Sequence, residues 1–335
     1  MSKVTLSDVA RASGVSVGTA SRAMTGRGRV SADTVERVRT VAEGLGYEPN
    51  VIGRALRLGS SATIGMLVPH LENPFFADLI RAVESELHRQ GYQLIIADSH
   101  GDVAVEARRL RLLLARRVDG VVIVPADVDG SIPAVRSTVE DVPLVQVDRR
   151  AGHDLADHVG VDNGLGMRLI ARHLAGLGAG TALYIGGDDA TAPGRERAAA
   201  FQRAAEGEGM TVVGTCRGRF DFETGVEGVR RSRLIPDAIV CGDDMIALGA
   251  LGQLQRQGVR VPAQTMVTGF DGTVLATVVE PTVTTVQQPV ADIARAAIEA
   301  LRGRLERGTA GPVAQQEFPP SLRVGGTTDP LHRRD

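Results

Sequence analysis

The 335-residue chain has no tryptophan, two cysteines, a single lysine at Lys3 and only 3% aromatic residues. Each shortage excludes something. Cys216 and Cys241 stand far apart in or near apolar, strand-like runs, without the close spacing of metal ligands. A disulfide framework and a zinc site are therefore not expected, and both thiols read as reduced and unreactive. No run approaches the roughly 20 apolar residues that a membrane span needs, and no apolar stretch behind a basic start marks a secretory leader, so a cytoplasmic protein with no membrane partner is expected. There is no P-loop, no G-x-S-x-G elbow and no G-x-G-x-x-G after a strand, and His70, His100 and His158 lack spaced partners. Neither an enzyme nor a cofactor is expected.

What the chain does have is an asymmetry of charge. Residues 1–60 carry 9 Lys+Arg against 5 Asp+Glu, whereas the remainder carries 29 against 35. A basic head on an acidic body suits a protein whose first segment meets nucleic acid. That head contains VTLSDVARASGVSVGTASRAM, Val4 to Met24. Thr5 is placed to cap a first helix with Asp8 as the return acid, and Leu6, Val9 and Ala10 share one face. Gly14 supplies the turn, Val15 plugs the angle between helices, and Ser16 caps a second helix that holds Thr19, Ser21 and Arg22. Two short helices around a glycine turn form the layout of a DNA-reading helix-turn-helix, although the same pattern also occurs in proteins that never touch DNA. Ser31 then caps a third helix to about Leu45, whose Val35, Val38 and Ala42 close a three-helix core. Gly46 ends it, and VIGRALRL followed by the small-residue run GSSA reads as a linker.

From Thr63 onward, apolar runs of strand length alternate with amphipathic helices. The first series is TIGMLVP, helix 75–90, YQLIIAD, helix 103–116, DGVVIVP, helix 130–139 and PLVQVD. The second is helix 164–177, TALYIGG, helix 193–207, TVVGTC, helix 224–231, AIVCGD, helix 244–257 and TMVTGFD. Continuous apolar strands separated by helices predict parallel sheets covered on both faces, hence an α/β protein with two doubly wound lobes. Helix 290–307 and SLRVGG add crossings between them. Ligands in such sheets gather beyond the carboxyl ends of the strands, which places a site in the cleft between the lobes.

The order VTLSDVA, SGVS, TASR, VSADTVERV, LGYEPN and NVIGRALR, followed by IGMLVPHLENPFF, VDGVVIVP, VPLVQVDRR, VGVDN, CGDDMIALGA and VTGFD, resembles the lactose-repressor and galactose-repressor (LacI/GalR) family of bacterial transcription regulators. The resemblance implies a three-helix head over residues 1–48, a hinge helix and linker over 49–60, and a core like a type 1 periplasmic binding protein over 61–335. Within that core, one lobe takes 61–161 with 290–318 and the other 162–289 with 319–335. It also implies a ligand-responsive regulator, in most cases a repressor, that meets double-stranded, pseudopalindromic operator DNA as a homodimer. The short tail TTDPLHRRD has no apolar heptad repeat, so a coiled-coil tetramer is not expected.

By position in the motif, Val17, Gly18 and Arg22 face base edges. Arg22 can grip guanine O6 and N7, Val17 offers apolar contact to a thymine methyl, and Gly18 offers no side chain. A phosphate contact is the other reading of Arg22. Thr5, Ser21, Thr34, Arg27 and Arg29 are the expected phosphate anchors, and Ser16, Thr19, Thr25, Ser31, Asn50 and Gly53 complete the DNA-binding set. Thr25 stands where the family commonly has Asn. Leu56 matches the hinge leucine that wedges into the minor groove, with packing on a dimer mate as the alternative. Gly53 replaces a common alanine and weakens a helix by roughly 1 kcal/mol.

For the effector, the cleft candidates are Asn73 and Phe75 after the first strand, Asp148 and Arg149 in VDRR, Arg197, Phe220, and then Asp243, Asp271 and Gln288, several of which match ligand positions of the family that the chain resembles. Asp243 takes a place usually held by Asn. Such a set suits a sugar or polyol, whose adjacent hydroxyls need buried partners. A nucleobase between Phe75 and Phe220 stays open, as does the simpler reading that strand-end carboxylates cap helices and Phe75 is core.

Overall fold

The computed structural model describes residues 4–25, 29–47, 60–232, 234–308 and 311–329. By its internal contacts the chain divides into two units, residues 1–61 and 62–335.

The first unit contains three helices, α1 Leu6–Ser13, α2 Val17–Thr25 and α3 Ala32–Gly44. Thr5 caps α1 in a complete capping box: the Asp8 N–H donates to Thr5 Oγ1 at 3.3 Å, and the Thr5 N–H donates to Asp8 Oδ2 at 3.0 Å. Gly14 ends α1 at φ 67°, a conformation that a side chain would strain. The Thr19 N–H donates to Ser16 Oγ at 3.1 Å, so Ser16 caps α2 as its position implies. Ser31 differs from expectation. It precedes α3 and its hydroxyl pairs with Thr34 Oγ1 at 2.9 Å, but it makes no side-chain cap bond. Val9, Ala10, Ala20, Ala23, Val38 and Ala42 are buried together, with Leu6, Val15 and Val35 packed against them. Small residues at the centre let three short helices approach closely.

The second unit is built on two six-stranded sheets. The first has strands β1 Thr63–Val68, β2 Gln93–Asp98, β3 Gly120–Ile123, β4 Leu144–Val147, β5 Asp157–Val161 and β11 Gln315–Phe318, in the order β11-β5-β4-β3-β1-β2. The second has β6 Thr181–Gly187, β7 Thr211–Gly218, β8 Ala238–Cys241, β9 Met266–Asp271, β10 Thr284–Gln287 and β12 Ser321–Arg323, in the order β12-β10-β9-β8-β6-β7. Every pairing is parallel except β10 with β12. Strands such as β3, β4, β8 and β9 are buried at every residue, as sheets covered on both faces require.

Helices α4 Pro74–Arg89, α5 Val103–Ala115 and α6 Ile132–Asp141 connect the strands of the first lobe. Helices α7 Asn163–Gly176, α8 Ala192–Gly207, α9 Phe222–Arg231, α10 Asp244–Arg256 and the short α11 Leu275–Val278 serve the second. The last helix, α12 Val290–Arg307, follows second-lobe strands in sequence yet packs on α4, β4 and β5. Arg304 anchors it there through Asp157, with Nε at 2.8 Å and Nη2 at 2.6 Å from the two carboxylate oxygens. The chain thus crosses between lobes after β5, after β10 and between β11 and β12, which leaves the carboxyl ends of both sheets facing one cleft.

Candidate functional site

The cleft is lined by Asn73, Phe75, Phe76, Asp148, Arg149, Pro193, Arg197, Phe220, Asp243 and Asp271. Eight of the nine residues expected from sequence lie on this lining. The ninth, Gln288, is buried one place behind it and donates from Nε2 to Asp271 Oδ1 at 2.8 Å. Larger hollows lie beside β7, about 440 Å³, and beside α7 and α8, about 400 Å³, the second lined by Arg150, Asp162 and Glu317 at or just beyond the ends of β4, β5 and β11. The cleft is the stronger candidate because buried charge from both lobes meets there, Asp148 and Arg149 from one and Arg197, Asp243 and Asp271 from the other. Its free space is about 20 Å³, room for one water, since side chains fill it.

Local structure sets each group. Asn73 caps α4, its Oδ1 accepting from the Phe75 N–H at 3.0 Å, and its Nδ2 reaches across to Asp243 Oδ2 at 3.5 Å. Asp243 caps α10 by accepting from the Ile246 N–H at 2.7 Å. The capping alternative therefore holds for both residues without removing them from the cleft. Arg197 donates from Nε to Asn163 Oδ1 at 2.8 Å and from Nη1 to the Gly242 carbonyl at 2.7 Å, and Nη1 stands 3.4 Å from Asp271 Oδ1. Its guanidinium lies 3.7 Å from the centroid of Phe270, fixed by stacking as well as by hydrogen bonds. Arg149 sits between two rings, 5.6 Å from the centroids of Phe76 and Phe220, which belong to different lobes. Gly187 at the end of β6 makes room for the Phe220 ring, because a Cβ there would overlap it.

Electrostatics follow from burial. Desolvation raises the carboxyl pKa of Asp148 against the pull of Arg197 and Arg149, raises Asp271 well above the ordinary carboxylate range, and raises Asp243 to about 7. It also lowers Arg149. Asp244, beside Asp243, is raised to about 6 but is spent on structure: it accepts from the Thr273 N–H at 2.7 Å, Thr273 Oγ1 at 2.8 Å and Thr285 Oγ1 at 2.6 Å. Further bridges tie the lobes at the mouth, with the Val128 N–H donating to the Ala190 carbonyl at 2.7 Å, Arg195 on Asp129 at 2.9 Å and Arg150 on Glu196 at 2.6 Å. The arrangement can hold a small polar ligand by planar acceptors, two guanidiniums and ring faces, and it offers no nucleophile with an oriented base.

Sequence reasoning missed Phe76, Pro193 and Asn163. Phe76 adjoins Phe75 in ENPFF, so the same motif carried its signal. Asn163 lies in VGVDN and acts through Arg197, 34 residues away.

In the first unit, Val17, Gly18 and Arg22 of α2 are exposed on the side opposite buried Ala20 and Ala23, and Val17 shows 47% of its surface. Ser16 and Arg29 are also exposed, and Thr19, Ser21 and Thr34 are half-buried. Arg22 Nη2 lies 3.4 Å from Thr19 Oγ1. Thr5 is exposed, with its hydroxyl on Asp8 Oδ2 at 2.6 Å. Arg27, Asn50, Gly53, Leu56 and the side chain of Thr25 lie outside the described residues.

Residues 5–50 match the family described as bacterial regulatory proteins, lacI family, and residues 171–328 match a periplasmic binding protein-like domain. The HTH-type transcriptional repressor PurR of Photobacterium profundum is 31% identical over 90% of this chain and 92% of its own length. The HTH-type transcriptional regulator DegA of Bacillus subtilis is 30% identical over 98% and 99%. Among solved structures, the lac repressor dimer bound to operator and the anti-inducer ONPF superposes with a TM-score of 0.86 at 26% identity, covering 98% of this chain and 99% of that one. A complex of the transcriptional regulator CelR with cellobiose gives 0.71 at 26% identity, covering 97% and 100%. These relatives are regulators of transcription rather than enzymes, and their similarity runs through both the helical head and the two-lobed body. The chain belongs to the lacI family of bacterial regulatory proteins.

Proposed function

We propose that this DNA-binding regulator is a repressor that acts in the cytoplasm as a homodimer on a pseudopalindromic operator, controlled by a sugar or polyol held between the lobes of its core. The observation that carries the effector half is the meeting of Asp148, Arg197 and Asp271, all buried, from strand and helix ends of two separate sheets. A ligand that bridges such groups binds one relation of the lobes better than another, and that difference in affinity is what biases the DNA-competent state. The relative solved with cellobiose supports a sugar.

The DNA half rests on α2 as reader, with Arg22 on guanine and Val17 and Gly18 beside it. Ser16, Thr19, Ser21, Thr25, Arg29, Ser31, Thr34 and Thr5 serve the backbone, with Asn50, Gly53 and the wedge Leu56 in the segment 49–60 that joins the head, 1–48, to the core, 61–335. Two copies are required because one reader covers only a half-site, and the lac repressor is solved as a dimer on its operator.

The test is thermal stabilisation of the purified chain across a library of sugars, polyols and nucleosides, followed by operator anisotropy with each hit. A hit that shifts operator affinity, and whose stabilisation disappears in Arg197→Ala, is expected. Equal stabilisation of parent and Arg197→Ala would place the effector elsewhere.

A further inference from the structure

The cleft carries more negative than positive charge. Asp148, Asp243 and Asp271 face Arg149 and Arg197, three carboxylates against two guanidiniums, all buried. Asp244 is left out of the count because Thr273 and Thr285 already satisfy it. The acceptors are in surplus too. Asp243 uses Oδ1 to cap α10, while its Oδ2 has only Asn73 Nδ2 at the 3.5 Å limit. Gln288 Oε1 is buried without a hydrogen-bond partner among the described residues. A neutral polyol would satisfy acceptors but bring no counter-charge for the third carboxyl, so Asp243, whose pKa burial lifts to about 7, would stay partly protonated; an ammonium beside it supplies the missing charge.

Arg149 lies over the Phe76 and Phe220 rings, so those faces are already taken by a cation, and the place left for a ligand's positive charge is at Asp243, whose Oδ2 has only the distant Asn73 Nδ2. The third carboxyl and the spare acceptors of Asp243 and Gln288 favour a ligand that brings positive charge and many donors together. A metal ion does not answer them, because no group of three or more His, Cys, Asp or Glu residues suited to metal binding occurs among the described residues.

We infer that the effector is an amino sugar or amino polyol whose ammonium lies against Asp243, with its hydroxyls taken by Asp148, Asp271 and Gln288. This rests on the proposed effector role of the cleft. It adds the charge of the ligand and the residue that selects it. Asp243 is then the specificity-determining group, and Asn at this position would restore two carboxylates against two guanidiniums. Asn also caps helices as well as Asp does, so the start of α10 survives the exchange.

The experiment is calorimetric titration of the full chain at about neutral pH, where a sugar amine is largely charged. The probes are the 2-amino and 6-amino derivatives of glucose and galactose and 1-amino-1-deoxymannitol, each paired with its neutral parent. In the parent protein at least one amine is expected to bind about tenfold more tightly than its neutral partner, with that preference abolished or reversed in Asp243→Asn. If a neutral compound binds as well as or better than every amine, and its binding is lost in Arg197→Ala, the cleft keeps its effector role and the cationic ligand is overturned. An amine preference that persists in Asp243→Asn overturns the role of Asp243. If no amine and no neutral parent binds, both the ligand class and the sugar effector fall.

Discussion

Asp148 and Asp271 occupy the same place in the two lobes. Asp148 follows β4 and Asp271 ends β9, each the third strand of its sheet, and both hold a left-handed backbone, φ 63° and φ 104°. Both are buried carboxylates facing Arg197. A non-glycine residue in this region costs on the order of 1–3 kcal/mol, and burying a carboxylate adds to that cost. Two repeats of one expensive arrangement at one cleft point to function rather than stability.

Replacing either Asp by Asn tests that conclusion, because Asn tolerates the left-handed region and keeps the shape while removing the charge. Each variant should melt at or above the parent at neutral pH, by up to about 1 kcal/mol in unfolding free energy. Effector affinity should fall at least about tenfold while operator affinity stays unchanged. Normal effector affinity by calorimetry in both variants would remove these carboxylates from the site.

Arg22 is the one long hydrogen-bonding side chain among the three exposed reader residues Val17, Gly18 and Arg22. Arg22→Ala should cost roughly 1–3 kcal/mol on the cognate operator and relax preference at one base pair in each half-site. Anisotropy titrations on cognate and random duplexes separate the two roles. Equal weakening on both would mean a phosphate contact.

The longer helices were legible to within two residues because their apolar spacing and caps are strong signals, as in the expected 103–116 and observed Val103–Ala115, whereas the four-residue α11 was not expected. The strands that escaped were β5, β10 and β11. TTVQ and QQEF are short and mostly polar, DHVGV breaks its apolar content with Asp, His and Gly, and β11 is largely exposed at the sheet edge, so no continuous apolar run marks them as strands. Motif order supplied the cleft residues, yet the position of Arg149 between Phe76 and Phe220 was not legible. It depends on how two lobes close over each other, and no spacing along one chain encodes that distance. Ser31 shows the converse limit: a good capping residue in the right place makes no side-chain cap bond.

The last prediction concerns acidity and Asp243. Burial, with the adjacent charge of Asp244, raises its pKa to about 7, against the pull of the Ile246 N–H, Arg197 and Asn73; Asp271 and Arg149 face the same space. A carboxyl whose folded pKa lies above its unfolded value near 3.8 binds its proton more tightly when folded. Its contribution is therefore present at low pH and is lost as pH rises through about 7. Asp243→Asn cannot titrate, so the melting temperature of the parent relative to this variant should stay level from about 8 down to about 7 and then rise steadily as pH is lowered to about 5.5. Binding of a sugar amine should follow the opposite course, since the ammonium needs the ionised carboxylate, and should weaken over the same interval. Parallel melting curves for parent and Asp243→Asn across the whole range would show that Asp243 is ionised throughout and that its charge is already balanced within the fold.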